Sequence, residues 1–122
     1  MKIETFFDLY AWQEGHKLVL MVYELVKKFP RNEQYALSDQ LRRCVVSVTS
    51  NVAEGFSRRT ARDKIQFYSI SLGSITELQN QIVIARDVGF CTREECGKVM
   101  DQSIVVHKLV RGLLKATPQY VI

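Results

Sequence analysis

The sequence predicts an all-α protein, an antiparallel up-down-up-down four-helix bundle that assembles into a ring-like homo-oligomer. Three observations predict it. No proline interrupts the chain between Pro30 and Pro118, which suits long helices better than short strands joined by turns. Four segments of roughly 20 residues carry apolar side chains at helical spacing, separated by short connections. The two middle segments almost lack charge, as helices do when both of their sides are covered.

The first helix is expected from about Asp8 to Phe29, with Leu9, Trp12, Val19, Tyr23 and Val26 at three-to-four spacing and Pro30 as its stop. The second runs from near Ser38 to about Phe56. Val46, Val48, Ser50 and Val52 alternate there as in a strand, but Leu37, Leu41, Val45, Val48 and Val52 form a longer helical template. The third begins at Thr60, where Thr-x-x-Asp63 resembles a capping box, and ends near Val88-Gly89. The fourth begins at Thr92 with the better box Thr-x-x-Glu95 and runs to about Ala116, ahead of Pro118.

The 122 residues, 47% apolar and 25% charged, suit one globular domain over 1–122 and argue against disorder. That size buries a core without a disulfide or metal. The most charge-poor stretch, Ile65–Ala85, holds Ser71, Ser74, Glu77, Gln79, Asn80 and Gln81, so no membrane span is expected. Met1-Lys2-Ile3-Glu4 leads into no apolar run, so no signal peptide is expected. Three cysteines, an odd number, point to a reducing cytoplasm.

From Cys44 to Ser57 the only charge is Glu54, and from Ile65 to Ala85 the only one is Glu77. At 100° per residue, Val46 and Ser50 point away from the stripe Leu41, Val45, Val48, Val52. On the third helix Ile65, Tyr68 and Leu72 share one side, while Phe67, Ile70, Ser74, Glu77, Gln81 and Ile84 line another. One side is assigned to the protomer core and the other to further copies of the chain. Gln40, Ser47, Asn51, Glu54 and Arg58 form a polar stripe for which Glu77 and Gln81 are the expected partners. Gly55 and Gly73-Ser74 are expected to permit close helix approach.

Catalysis finds little support. A di-iron bundle needs Glu-x-x-His, but Gln13 and Ile104 stand three residues before His16 and His107. Cys91 and Cys96 have no second pair to complete a zinc site. Cys44 reads as a small core residue rather than a nucleophile. Glu54 and Glu77 are the one imaginable acid/base pair. No glycine-rich phosphate loop occurs, and neither cofactor nor metal is expected.

The basic residues say more. Between positions 42 and 64 six basic side chains (Arg42, Arg43, Arg58, Arg59, Arg62 and Lys64) face two acids, Glu54 and Asp63. The resulting +4 equals the net charge of the whole chain. Arginine suits bidentate phosphate contact, and a helix N-terminus adds backbone N–H groups. The competing reading is a solvated basic turn with Arg–Glu pairs between subunits.

Phe7-Asp8-Leu9 with Trp12-Gln13, Phe29-Pro30, Gln40-Leu41-Arg42-Arg43, Ser50-Asn51-Val52-Ala53-Glu54-Gly55, and Leu72-Gly73-Ser74 with Glu77-Leu78 resemble the bacterial 23S rRNA intervening-sequence protein family. The resemblance covers nearly the whole chain. It implies a small four-helix bundle forming a homopentameric ring, in a family for which nucleic-acid binding is the usual conjecture. It also implies likeness to an accessory protein of diversity-generating retroelements that binds a reverse transcriptase and nucleic acid. The reading is therefore a non-enzymatic, cytoplasmic homo-oligomer binding RNA or DNA. Its site residues are the six basic ones above, and Val46, Ser50, Asn51, Glu54, Phe67, Ile70, Glu77 and Gln81 form an oligomer interface or buried polar network. The rival is a scaffold for a protein partner such as a polymerase.

Overall fold

The computed structural model describes residues 2–33 and 36–118, and among these it holds four α-helices and no strand. Helix α1 spans Tyr10–Val26, α2 Leu37–Ser57, α3 Ala61–Asp87 and α4 Arg93–Ala116. Short 3-10 turns at Phe6–Asp8 and Arg31–Glu33 precede α1 and α2. Helices α1 and α3 each pack against both α2 and α4, and the four enclose one apolar core. At its centre Leu18, Val22, Leu41, Val45, Val48, Val52, Ile75, Leu78, Val106 and Val110 are wholly buried. None of the helices is long and apolar enough to cross a membrane.

The helix ends follow local chemistry. Helix α1 begins two residues later than expected because the Asp8 carboxylate accepts from the backbone N–H groups of Glu4 and Thr5, closing the preceding turn. Those bonds hold its pKa below the usual carboxylate range, Thr5 contributing most. Helix α1 also stops short of Phe29, since Lys28 and Phe29 donate to Leu25 and Val26 three residues back, tightening the last turn. Thr92 and Glu95 form the full reciprocal box at 2.9 and 3.0 Å. Thr60 accepts only from the Asp63 N–H, at 3.1 Å, so the first box is half made. Helix α3 closes in a Schellman turn: Gly89 adopts φ +84°, and Phe90 and Gly89 donate to the carbonyls of Ala85 and Arg86.

The strand-like alternation of Val46 to Val52 resolves as helix, and the stripe Leu41, Val45, Val48, Val52 lines the core. The third helix differs from expectation. Its core stripe is Tyr68, Ser71, Ile75, Leu78, Ile82 and Ala85, lying between the two stripes read from sequence. Ser71 fits there because its hydroxyl donates to the Val48 carbonyl at 2.8 Å.

The glycine expectations divide. A Cβ on Gly55 would meet the Tyr68 ring at 2.7 Å, so the α2–α3 approach requires glycine, whereas Gly73 has open space around it. Cys91 and Cys96 are joined by a disulfide, a pairing that the sequence reading, which took the odd cysteine count to point to a reducing compartment, did not expect. Thr92 starts the helix between them, which brings Cys96 round one turn until its Cα lies 6.2 Å from that of Cys91.

Candidate nucleic-acid interface

The α2–α3 junction is three residues long, and its chemistry begins with how α2 is closed. Lys64, one turn into α3, donates from Nζ to the carbonyls of Phe56 and Gly55 at 2.7 and 3.3 Å. Its ammonium also lies 5.4 Å from the centre of the Phe56 ring. Lys64 thus serves as the cation at the helix C-terminus. The sequence reading counted it among free phosphate ligands; the structure commits it to the backbone.

Arg58 is held on three sides. Its N–H donates to the Gly55 carbonyl, its guanidinium reaches Glu54 at 3.3 Å, and it lies 4.7 Å over the Phe67 ring. Arg59 and Arg62 are exposed and make no ion pair among the described residues. Glu54, Ser57, Arg58, Arg59, Thr60 and Asp63 line an open cleft of about 460 Å³. The first amides of α3 lack intrahelical acceptors, and Thr60 satisfies only that of Asp63.

The six basic residues do not form one cluster. Arg42 and Arg43 stand about 24 Å along the helix axis from Arg58, too far for a single cleft. Arg43 pairs with Asp39 at 2.8 Å, and Arg42 borders a different cleft with Val26, Phe29, Pro30 and Ser38. Sequence proximity misled because a helix converts sixteen positions into length rather than closeness.

The polar stripe of α2 finds partners other than those expected. Ser47 bonds Ser74 at 2.8 Å, Asn51 donates to the Ser47 carbonyl and hydroxyl, and the Cys44 thiol donates to the Ser74 carbonyl. Gln81 turns to Glu77 within its own helix at 3.3 Å and leaves its Oε1 buried without a partner. Glu54 and Glu77 have separate neighbours, Arg58 and Ser57 for one and Gln81 for the other. Burial pushes the Cys44 thiol up to about 12, with the Glu77 charge adding to it, so it is a poor nucleophile. His16 stacks on Trp12, and burial lowers the pKa of His107 with help from Arg111. Among the described residues no three His, Cys, Asp or Glu side chains group as metal ligands do.

Val46, Ser50 and Ile70 lie on the outer side of α2 and α3 and are exposed, Val46 at 39% and Ile70 at 45%, while Phe67 and Asn51 are half-buried. The sequence reading missed the aromatic knot where the Phe6–Asp8 turn meets the first turn of α1. There Phe6, Phe7 and Trp12 meet with ring centres 4.4 to 5.3 Å apart. The signal was present in five aromatic or imidazole side chains within eleven positions, Phe6, Phe7, Tyr10, Trp12 and His16.

A family model of 23S rRNA-intervening sequence proteins matches residues 7–112. No curated protein matches the chain. Among solved structures, the fold is similar to a protein of unknown function from the S23 ribosomal protein family of Bacteroides thetaiotaomicron VPI-5482. The TM-score is 0.81 at 19% identity, over 87% of this chain and 96% of that one. At that identity the likeness speaks for the fold alone.

Proposed function

Since the chain belongs to the 23S rRNA-intervening sequence protein family, we propose that it is a non-enzymatic, homo-oligomeric helical bundle that binds RNA or DNA. One observation carries this: Arg59 and Arg62 stand exposed and, among the described residues, without an ion pair where α3 begins, beside an Arg58 already oriented by Glu54 and Phe67. Unpaired guanidinium groups beside a helix N-terminus suit phosphate oxygens.

The helices run alternately up and down in this reading. Supporting contacts pair Gly55 with Tyr68, Val48 with Ser71 and Ser47 with Ser74, so α3 ascends as α2 descends. Gly15 likewise meets Thr49, while Val26 shares a cleft with Ser38. The outer faces with Val46, Ser50 and Ile70 join copies into a ring, for which five is the number the family resemblance implies. Repetition matters, because one protomer offers few phosphate contacts and several copies share one flexible strand.

The test is fluorescence anisotropy with a labelled single strand of about 20 nucleotides. Binding is expected to fall steeply between roughly 50 and 200 mM salt. Reversing Arg59 and Arg62 to glutamate together abolishes it without changing the assembly's mass, while Lys108→Glu on α4 has little effect. Equal loss from both changes points to diffuse charge only. No binding by the wild type at low salt replaces this reading with the protein-interaction scaffold.

A further inference from the structure

We propose that the aromatic knot at the start of the chain is a stacking site for unpaired bases, so that the ligand is single-stranded nucleic acid rather than duplex. This rests on the reading above and adds a second kind of contact to it. Phe7 stacks on Phe6 at 4.4 Å and 27°, and its edge meets Trp12 at 5.0 Å and 78°. Trp12 in turn lies parallel to His16, at 4.9 Å and 11°. Phe6 and Trp12 are half-buried against the core, yet Phe7 is 56% exposed and His16 is exposed as well.

The rings are held in place before any ligand arrives. The Gln13 side-chain amide donates to the Phe7 carbonyl at 2.8 Å, and the Asp8 carboxylate closes the turn from behind. A fixed ring loses little freedom when a base stacks on it. Three acids beside the rings are occupied: Asp8 by two backbone N–H groups, Glu14 by Lys17 and Gln102, and Glu4 by Lys2.

The same contacts that set the helix directions place this knot. Passing along α1 from Val26 back to Gly15 moves along α2 from Ser38 to Thr49. The Phe6–Asp8 turn, which packs on α2, therefore lies toward the C-terminal end of α2, the end that Arg58 and Arg59 follow. Arginines for the phosphates and exposed rings for the bases share one end of the bundle. That pairing of a cationic track with aromatic rungs suits a single strand, whose bases present free faces. A duplex hides those faces.

Trp12 is the only tryptophan, so it reports on the site directly. The intact protein is titrated at low salt with oligo(rU), with oligo(dU) and with a DNA duplex of the same length, following Trp12 emission, while anisotropy of the labelled strands reads binding independently. The expected result is quenching that saturates with the anisotropy, equally for both strands if the base face is what is read and unequally if the sugar contributes. The duplex gives no quenching. Phe7→Ala weakens binding on the order of 5- to 100-fold with helix content and mass unchanged. Anisotropy that rises with Trp12 emission unmoved and Phe7→Ala binding normally overturns the stacking site and leaves the arginine reading standing. Silence in both signals overturns both. Phe7 is the ring that stands 56% exposed on one protomer, so its protection from hydroxyl-radical oxidation in the free assembly shows that another copy of the chain covers the rings, which also overturns the proposal.

Discussion

The Tyr68 ring lies across Gly55 so closely that a methyl group there would come within 2.7 Å of one ring carbon and 2.9 Å of another. Tyr68 is itself buried, and burial raises the pKa of its hydroxyl. Neither side can give way easily. Gly55→Ala is therefore expected to destabilise the fold by about 1–3 kcal/mol, as overpacking does. Gly112→Ala, with nothing within 4 Å, gains up to about 1 kcal/mol from helix propensity. Urea unfolding of the two variants checks the opposite signs.

Stability should depend on pH through Glu95. Lys28 and the Thr92 N–H hold its carboxyl down to about 2, Lys28 contributing most, against an ordinary value of 4.5. A depressed folded-state pKa gives stability that is complete above the unfolded value and lost as pH falls toward the folded one. The unfolding temperature of the wild type should thus decline between about pH 4.5 and 2. Glu95→Gln, unable to ionise, is expected to flatten that part of the profile and to lower stability at neutral pH.

Alkylation should sort the three thiols. The native protein is expected to take up no iodoacetamide, because Cys44 is buried with a raised pKa and Cys91 is bonded to Cys96. Unfolded without reductant, the chain should gain one label, at Cys44. Unfolded after reduction, it should gain three. Mass spectrometry counts them, and three labels without reductant would show that the bridge is absent.

Val46→Glu tests the assembly. The side chain is 39% exposed on one protomer, so the substitution costs little there. Within a subunit interface the carboxylate would be desolvated without a partner. Light scattering should show dissociation of the wild-type oligomer or loss of solubility. Unchanged mass and solubility would place Val46 outside any interface.

Much of the fold was legible in the sequence. The Thr92 and Thr60 caps, the proline-free span and the Leu41 to Val52 stripe each state a local physical preference that packing did not override. The end of α1 was misread because a proline forbids helix beyond itself but does not oblige helix up to itself. The core stripe of α3 was missed because Ser71 and Ala85 look neutral until the Val48 carbonyl and the neighbouring helices supply their surroundings. The candidate site was legible only in part. Charge could be counted along the chain, but not that Arg42 and Arg43 belong to another end, nor that Lys64 is spent on two carbonyls. Such facts depend on three-dimensional distance, to which composition and periodicity are blind.

The lysine that closes α2 from within α3 also has a mechanical meaning. A three-residue corner between two long helices would ordinarily act as a hinge, opening under a pull at its apex. Here the ammonium of Lys64 rivets the last carbonyls of α2 to the first turn of α3, and Arg58 adds a second fastening across Glu54 and Phe67. A tug on Arg59 is consequently shared as shear along both helices, rather than concentrated as peeling at one end. The corner transmits load instead of yielding to it.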